Sequence, residues 1–126
     1  MPNLLDHIDL RVRDRASAAE FYDRLLRLLG AVKSVSEEFI TWSIPPAADR
    51  APSGSFGITE DPTHVAGAAR IAFRAASRDV VDTVAALLPS LGARAIESDD
   101  GIYGASYYGV FFEDADGNRL EVCVND

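Results

Sequence analysis

The sequence predicts an α+β fold built from two paired βαβββ modules, and three observations carry that prediction. The chain repeats itself: His7-Ile8-Asp9-Leu10-Arg11-Val12 aligns with Arg70-Ile71-Ala72-Phe73-Arg74-Ala75, 63 residues later, and both alternate like half-buried strands. Each copy is followed by apolar residues at helical spacing that stop at a glycine. Beyond each glycine come three short segments of strand character separated by turn residues. A four-stranded sheet with one helix has only one face covered, so the two modules are expected to pair and leave a concave, half-barrel cavity between them.

The elements follow in order. After the strand at His7, the residues Ala18, Phe21, Tyr22, Leu25, Leu26 and Leu29 recur at helical spacing, and Gly30 stands where a C-terminal glycine cap belongs. Strands are predicted at Ala31 to Val35, Phe39 to Ile44 and Ser55 to Thr59, with Pro45-Pro46 to Gly54 as a loop. Glu60 to Gly67, holding Asp61-Pro62, reads as the linker. In the second half Val80, Val81, Val84, Leu87, Leu88 and Leu91 form the helical stripe, which ends at Gly92. Ser77 is the expected N-cap, Asp79 suits the positive end of the helix dipole, and Pro89 should loosen the last turn. Strands are predicted at Ala93 to Glu97, Tyr107 to Glu113 and Arg119 to Val124. The last two flank Asp114-Ala115-Asp116-Gly117-Asn118, a hairpin turn signal. The 126 residues thus form one domain, with module 1 at about 4–60 and module 2 at about 68–125.

Composition narrows the function. With 48% hydrophobic and 25% charged residues the chain is an ordinary globular domain. The single Cys123 excludes an intrachain disulfide, and one cysteine with two histidines, His7 and His64, excludes a Cys/His zinc module. Twelve basic against twenty acidic residues, net −8, argue against a nucleic-acid partner. No apolar run approaches the roughly 20 residues of a membrane span, and no targeting segment is recognised, so a cytoplasmic location is expected.

Strand alternation sorts the side chains. Ile8, Leu10 and Val12 should face the helix, which turns His7, Asp9 and Arg11 to the concave face. Likewise Arg70, Ala72 and Arg74 oppose the row Ile71, Phe73 and Ala75, and Arg119, Glu121 and Cys123 oppose Leu120, Val122 and Val124. The repeat sets His7 against Arg70 and Gly57 against Glu121. Three arginines on this face of an acidic protein, Arg11, Arg70 and Arg74, suggest attraction for a carboxylate or phosphate, unless Asp9 and Glu121 neutralise them. Trp42, Tyr103, Tyr107 and Tyr108 are candidate pocket aromatics, of which half should be core. Cys123 reads as an inert thiol, His64 as a linker residue, and the acids Glu37, Glu38, Asp99, Asp100, Asp114 and Asp116 as solvated turn residues.

These residues carry a likeness to a known family. The stretch from His7 to Val12 followed by Phe21-Tyr22, then Arg70 to Arg74, and above all Phe112-Glu113-Asp114-Ala115-Asp116-Gly117-Asn118-Arg119-Leu120-Glu121, resemble the vicinal oxygen chelate superfamily of glyoxalases, bleomycin-resistance proteins and extradiol dioxygenases. The closing segment is similar to the family's F-x-D-P-D-G-N-x-x-E ending, with Ala115 in place of proline. Tyr103 and Tyr107-Tyr108-Gly109 are similar to a glyoxalase-like branch. The resemblance implies paired βαβββ modules, a homodimer, and a cavity in which metal-dependent members hold a divalent ion by His, Glu or Gln.

Carried onto this chain, the ligand positions fall at His7, Gly57, Arg70 and Glu121. Gly57 offers no donor, and the guanidinium of Arg70 stays protonated and cannot bind a cation. Arg70 is therefore expected to pair with Glu121 and to stand in electrostatically for the ion, so that no cofactor is needed. The expected function is binding of a small anionic or aromatic molecule through His7, Asp9, Arg11, Arg70, Arg74, Tyr103, Tyr108 and Glu121. The alternative is a metal-dependent lyase or ring-cleaving dioxygenase in which His7 and Glu121 hold a divalent metal. A regulatory subunit with a filled cavity is a third reading.

Overall fold

A computed structural model describes residues 4–46, 54–101 and 103–125. The loop expected from Pro45-Pro46 to Gly54 lies mostly outside the described residues. The chain divides into two compact units between His64 and Val65, within the expected linker. Each unit is a βαβββ module, so the fold is α+β, as the repeat predicts.

Module 1 consists of β1 (His7–Val12), α1 (Arg15–Arg27), β2 (Val32–Val35), β3 (Phe39–Ser43) and β4 (Ser55–Glu60). Its sheet has the order β1-β4-β3-β2, with β1 parallel to β4 and the other pairs antiparallel. Module 2 repeats this with β5 (Arg70–Arg74), α2 (Arg78–Leu87), β6 (Arg94–Asp100), β7 (Tyr107–Glu113) and β8 (Arg119–Asn125), in the order β5-β8-β7-β6. The single parallel pair in each sheet follows from the connections: the helix returns the chain so that β2 (or β6) lies at the far edge in the direction of the first strand, and two antiparallel reversals then bring β4 (or β8) beside the first strand in that same direction.

Sequence explains the helix ends. Ser77 caps α2 through the hydrogen bond that Val80 N donates to its hydroxyl, at 3.3 Å. Asp14, which the periodicity did not single out, caps α1 by accepting from Ser17 N at 2.9 Å. Beyond α2 the chain tightens into a 3₁₀ turn at Leu88–Leu91, where Pro89 removes a donor, and Gly92 then takes a left-handed φ of 79°.

The helices pack away from the first strand of each sheet: α1 packs on β4, β3 and the far-edge strand β2, and α2 on the inner strands β7 and β8. Consequently Ile8 and Leu10 of the edge strand β1 are only half-buried, while Ile58 on β4 and Val110, Leu120 and Val122 in module 2 are fully buried. The core of module 1 is aromatic. Tyr22 lies 5.1 Å from Phe56 and 6.2 Å from Trp42, centroid to centroid, and the buried Trp42 donates its indole N–H to Asp23 at 3.1 Å.

The β7–β8 turn corrects one expectation. Asp114 is buried rather than solvated. Its carboxylate accepts from the backbone N–H groups of Asp116 and Asn118 and from the Asn118 amide, at 2.9, 3.0 and 2.9 Å. Gly117, at φ 86°, supplies the left-handed position. The acid in this motif builds the turn that sets the β7–β8 register, and with it the placement of Glu121.

Candidate functional site

Each sheet has one face on its helix and one open face. Strand register shows which side chains share the open faces. In module 1, His7 is level with Ser55 and Ser43, Asp9 with Gly57 and Thr41, and Arg11 with Thr59 and Phe39. In module 2, Arg70 is level with Arg119 and Glu113, Ala72 with Glu121 and Phe111, and Arg74 with Cys123 and Gly109. Gly57 and Glu121 therefore occupy equivalent places, as the repeat indicated.

On module 1 these residues enclose a hollow of about 370 Å³ lined by His7, Asp9, Phe39, Thr41, Ser55 and Thr59, with Gly57 at its floor. That volume suits a small ligand. Gly57 creates the depth: a Cβ there would come within 3.1 Å of the Thr41 methyl and 3.3 Å of the Ile40 carbonyl oxygen. The polar groups on the rim are oriented by each other. Thr59 donates its hydroxyl to Asp9 at 2.7 Å, and Arg11 forms an ion pair with the same carboxylate at 3.2 Å. The imidazole of His7 meets the carboxylate of Asp6 at 2.9 Å and is largely exposed.

On module 2 the equivalent space is filled. Tyr107 reaches across Gly109 and donates its hydroxyl to Glu121 Oε2 at 2.7 Å, and both residues are buried, Glu121 at 7% exposure. Burial, followed by the hydrogen bond to Glu121 and its negative charge, pushes the Tyr107 phenol far above its ordinary value, so the proton stays on the tyrosine. A Cβ on Gly109 would overlap the Tyr107 hydroxyl and sit 3.0 Å from the Cys123 Cβ, so only glycine leaves room for this crossing. Burial also raises the Cys123 thiol, with Glu121 adding to the effect, which is the opposite of what a nucleophilic cysteine requires.

The expected ion pair between Arg70 and Glu121 does not form. Arg70 donates to the Leu120 carbonyl oxygen at 3.0 Å, and its guanidinium lies 4.8 Å from the centroid of the Phe111 ring. The carboxylate is held by Tyr107 instead. Tyr103, 64% exposed, meets Tyr107 edge-on at 5.0 Å, and Tyr107 stacks toward Phe111 at 6.4 Å. Tyr108 does not join this face. Strand alternation turns it to the helix side, where its hydroxyl donates to Asp82 and Arg78 lies 4.8 Å from its ring centroid.

Of the residues singled out from the sequence, module 1 thus brings together His7, Asp9 and Arg11, and module 2 brings together Arg70, Arg74, Glu121 and, through Tyr107, Tyr103. His64 lies at the end of module 1, where its carbonyl accepts from Arg13 at 2.8 Å. Sequence reasoning passed over Tyr107 as an anchor for Glu121 and over Phe111 as the platform for Arg70. Glycine two places after an aromatic on the same strand face was the available signal for the first.

The residues present do not fit a metal centre of the type the resemblance describes. Glycine and arginine stand at two of its four positions, and one oxygen of Glu121 is committed to Tyr107. Within either module, among the described residues, no three His, Cys, Asp or Glu side chains converge on one point. Among the same residues no helix is long and apolar enough to cross a membrane.

Comparison with known proteins agrees with this architecture. The family model described as Glyoxalase/Bleomycin resistance protein/Dioxygenase superfamily matches residues 4–122. A crystal structure of a glyoxalase/bleomycin resistance protein from Albidiferax ferrireducens is similar at 25% identity and a TM-score of 0.78, covering 96% of this chain and 98% of that one. The fosfomycin resistance protein FosX from Listeria monocytogenes superimposes with a TM-score of 0.68 at 21% identity, over 98% and 93% of the two chains. A glyoxylase/bleomycin resistance protein/dioxygenase domain from Frankia sp. gives 0.69 at 19% identity with both chains covered in full. No curated protein matches the chain. With the repeat, the two βαβββ modules and a family match spanning nearly its whole length, the chain belongs to the glyoxalase/bleomycin resistance protein/dioxygenase superfamily.

Proposed function

We propose that this protein binds a small organic molecule, anionic or aromatic in part, on its open sheet faces, and that it does so without a tightly held catalytic metal ion or other cofactor. The observation that carries the reading is the fate of the donor positions. Gly57 supplies no ligand, Arg70 brings a permanent positive charge, and Glu121 accepts a hydrogen bond from a phenol that keeps its proton. A catalytic ion ordinarily needs three protein donors, and a guanidinium among them repels it. Arg70 supplies fixed charge in place of the ion's, so the attraction for an anionic group is retained. The 370 Å³ hollow beside His7 and Asp9 supplies the concavity. A fosfomycin resistance protein is among the similar structures, and sequestration of a small molecule in a resistance role is one use for such a site. A homodimer in the cytoplasm is the working form.

Elemental analysis tests the metal part of this reading. The protein is incubated with nickel, zinc, manganese or ferrous iron, desalted, and assayed for retained ion. Retention well below one ion per chain is expected. Near-stoichiometric retention that disappears in His7→Ala would overturn the reading and favour a metal-dependent lyase or dioxygenase built on His7 and Glu121.

A further inference from the structure

The strand ends of module 2 carry an imbalance of charge that neither the fold nor the reading above explains. Across β5, β8, β7 and β6 one row of the open face holds Arg70, Arg119, Glu113 and Arg94, each level with the next. Three guanidinium groups share one carboxylate. Glu113 is the natural counterion for Arg119, yet it leans the other way and meets Arg94 at 3.8 Å. Arg119 is exposed and forms no ion pair or side-chain hydrogen bond among the described residues. Its other neighbour is Arg70, in register on the adjacent parallel strand about 4.8 Å away. Like charges directly side by side in a sheet are destabilising. Nearby acids do not relieve this pair: Glu121 is buried under Tyr107, and Glu97 stands two strands away, level with Phe111.

Arg70 is also held in position. Its guanidinium lies against the Phe111 ring and one of its nitrogens is fixed on the Leu120 carbonyl oxygen, leaving further N–H groups for a ligand. A positioned guanidinium beside an unpartnered one, in a protein of net charge −8, is an arrangement that an oxyanion would complete. We infer that Arg70 and Arg119 together form an oxyanion-binding site, taking the carboxylate or phosphate-type group of the ligand between two guanidinium forks at the edge of the Phe111 ring. The inference rests on the reading of Arg70 as the fixed charge of this face, and it adds Arg119 as the residue that makes the site bidentate.

Calorimetric titration with inorganic phosphate and, separately, with benzoate distinguishes the two sources of oxyanion, at low salt and with the intact chain. Saturable binding of at least one probe is expected. Arg119→Gln should weaken it at least tenfold, Arg70→Gln likewise, and Arg119→Lys by a smaller factor because charge survives without the fork. Arg94→Gln, which removes a guanidinium already paired to Glu113, should change the affinity less than twofold. Thermal melts of each variant identify any that fail to fold, and Arg119→Lys then carries the test. Absence of saturable binding for both probes overturns the inference, as does an Arg119→Gln protein that binds like the wild type. In the latter case a loss confined to Arg70→Gln would leave the single-charge reading of Arg70 standing, whereas retention of metal by the unmodified chain would remove that reading itself.

Discussion

The two modules share one topology and one strand register, yet their open faces differ where the repeat is most regular. At the central row, Asp9, Gly57 and Thr41 of module 1 stand against Ala72, Glu121 and Phe111 of module 2. Both faces contain a glycine on an inner strand, Gly57 on β4 and Gly109 on β7. Around Gly57 the nearest atoms are the Thr41 methyl and the main-chain oxygens of Ile40 and Ile8, and a hollow results. Around Gly109 the Tyr107 ring lies across the backbone and fills the space, with its hydroxyl on Glu121. A missing Cβ is therefore a cavity or a packing site according to what the neighbour two residues away can reach. Module 1 keeps its polar groups half-exposed and mutually hydrogen-bonded, as a binding face does. Module 2 buries its carboxylate and commits it, as a framework does, while displaying arginine at the rim.

The largest expected effect breaks this contrast at its two glycines. Gly109→Ala places a Cβ on the Tyr107 hydroxyl, and Tyr107 must move away, leaving the buried Glu121 carboxylate without its donor. A loss of about 3 kcal/mol is expected. Gly57→Ala pushes on the Thr41 methyl and the Ile40 carbonyl, an overpacking cost of about 1 kcal/mol. That is offset by the roughly 0.5–1 kcal/mol gained when a strand glycine is replaced. Urea unfolding should therefore separate the two variants by at least about 2 kcal/mol. Equal stabilities would mean that the Tyr107 contact contributes nothing the module 1 face lacks.

A smaller effect sharpens the same point. Tyr107→Phe keeps the ring and removes only the donor, at an expected cost of about 1–3 kcal/mol at neutral pH. The phenol is held above its ordinary value of 10.0 in the folded chain. A group with a raised folded pKa contributes its stability in full below the unfolded value, and loses it as pH rises toward the folded one. Wild type and Tyr107→Phe should then differ by a constant amount up to about pH 10 and converge above it, as measured by urea midpoints across that range. Convergence already at neutral pH would show that the hydroxyl is not bonded to Glu121.

How much of this was legible beforehand depends on the scale of the feature. The repeat at His7 and Arg70 exposes the topology, because strand and helix periods are properties of many residues at once. It also sets Gly57 level with Glu121, which the register bears out. The side-chain geometry at single positions was less accessible. Strand alternation alone separates Tyr107 from Tyr108, and applying it strictly would have kept Tyr108 off the open face. Arg70 illustrates the limit: its long side chain could reach Glu121 or lie on Phe111, and the choice depends on Tyr107 having already taken the carboxylate. Alternation places Arg119 on the open face, but its significance lies in where Glu113 points, which no spacing reveals. The turn context of Asp114 points to solvent, whereas the compact hairpin encloses it.

The smallest expected effect compares the two helix starts. The modules use the same device with different chemistry: Asp14 accepts from the Ser17 N–H and hydroxyl at 2.9 and 2.6 Å, and Ser77 accepts from the Val80 N–H at 3.3 Å. Ser77→Ala should cost about 1 kcal/mol, with the same loss at acid and neutral pH because a hydroxyl does not titrate there. The Asp14 cap is conditional. Its hydrogen bonds to Ser17 hold the carboxyl below its ordinary value of 3.8, so its contribution is present above that value and fades as pH falls through the lower folded one. Amide exchange protection at Ser17 should therefore fall as the pH drops below about 4 while protection at Val80 holds. A parallel fall at both amides would instead mean that acid opens the two modules together, and that the start of α1 has no titration of its own.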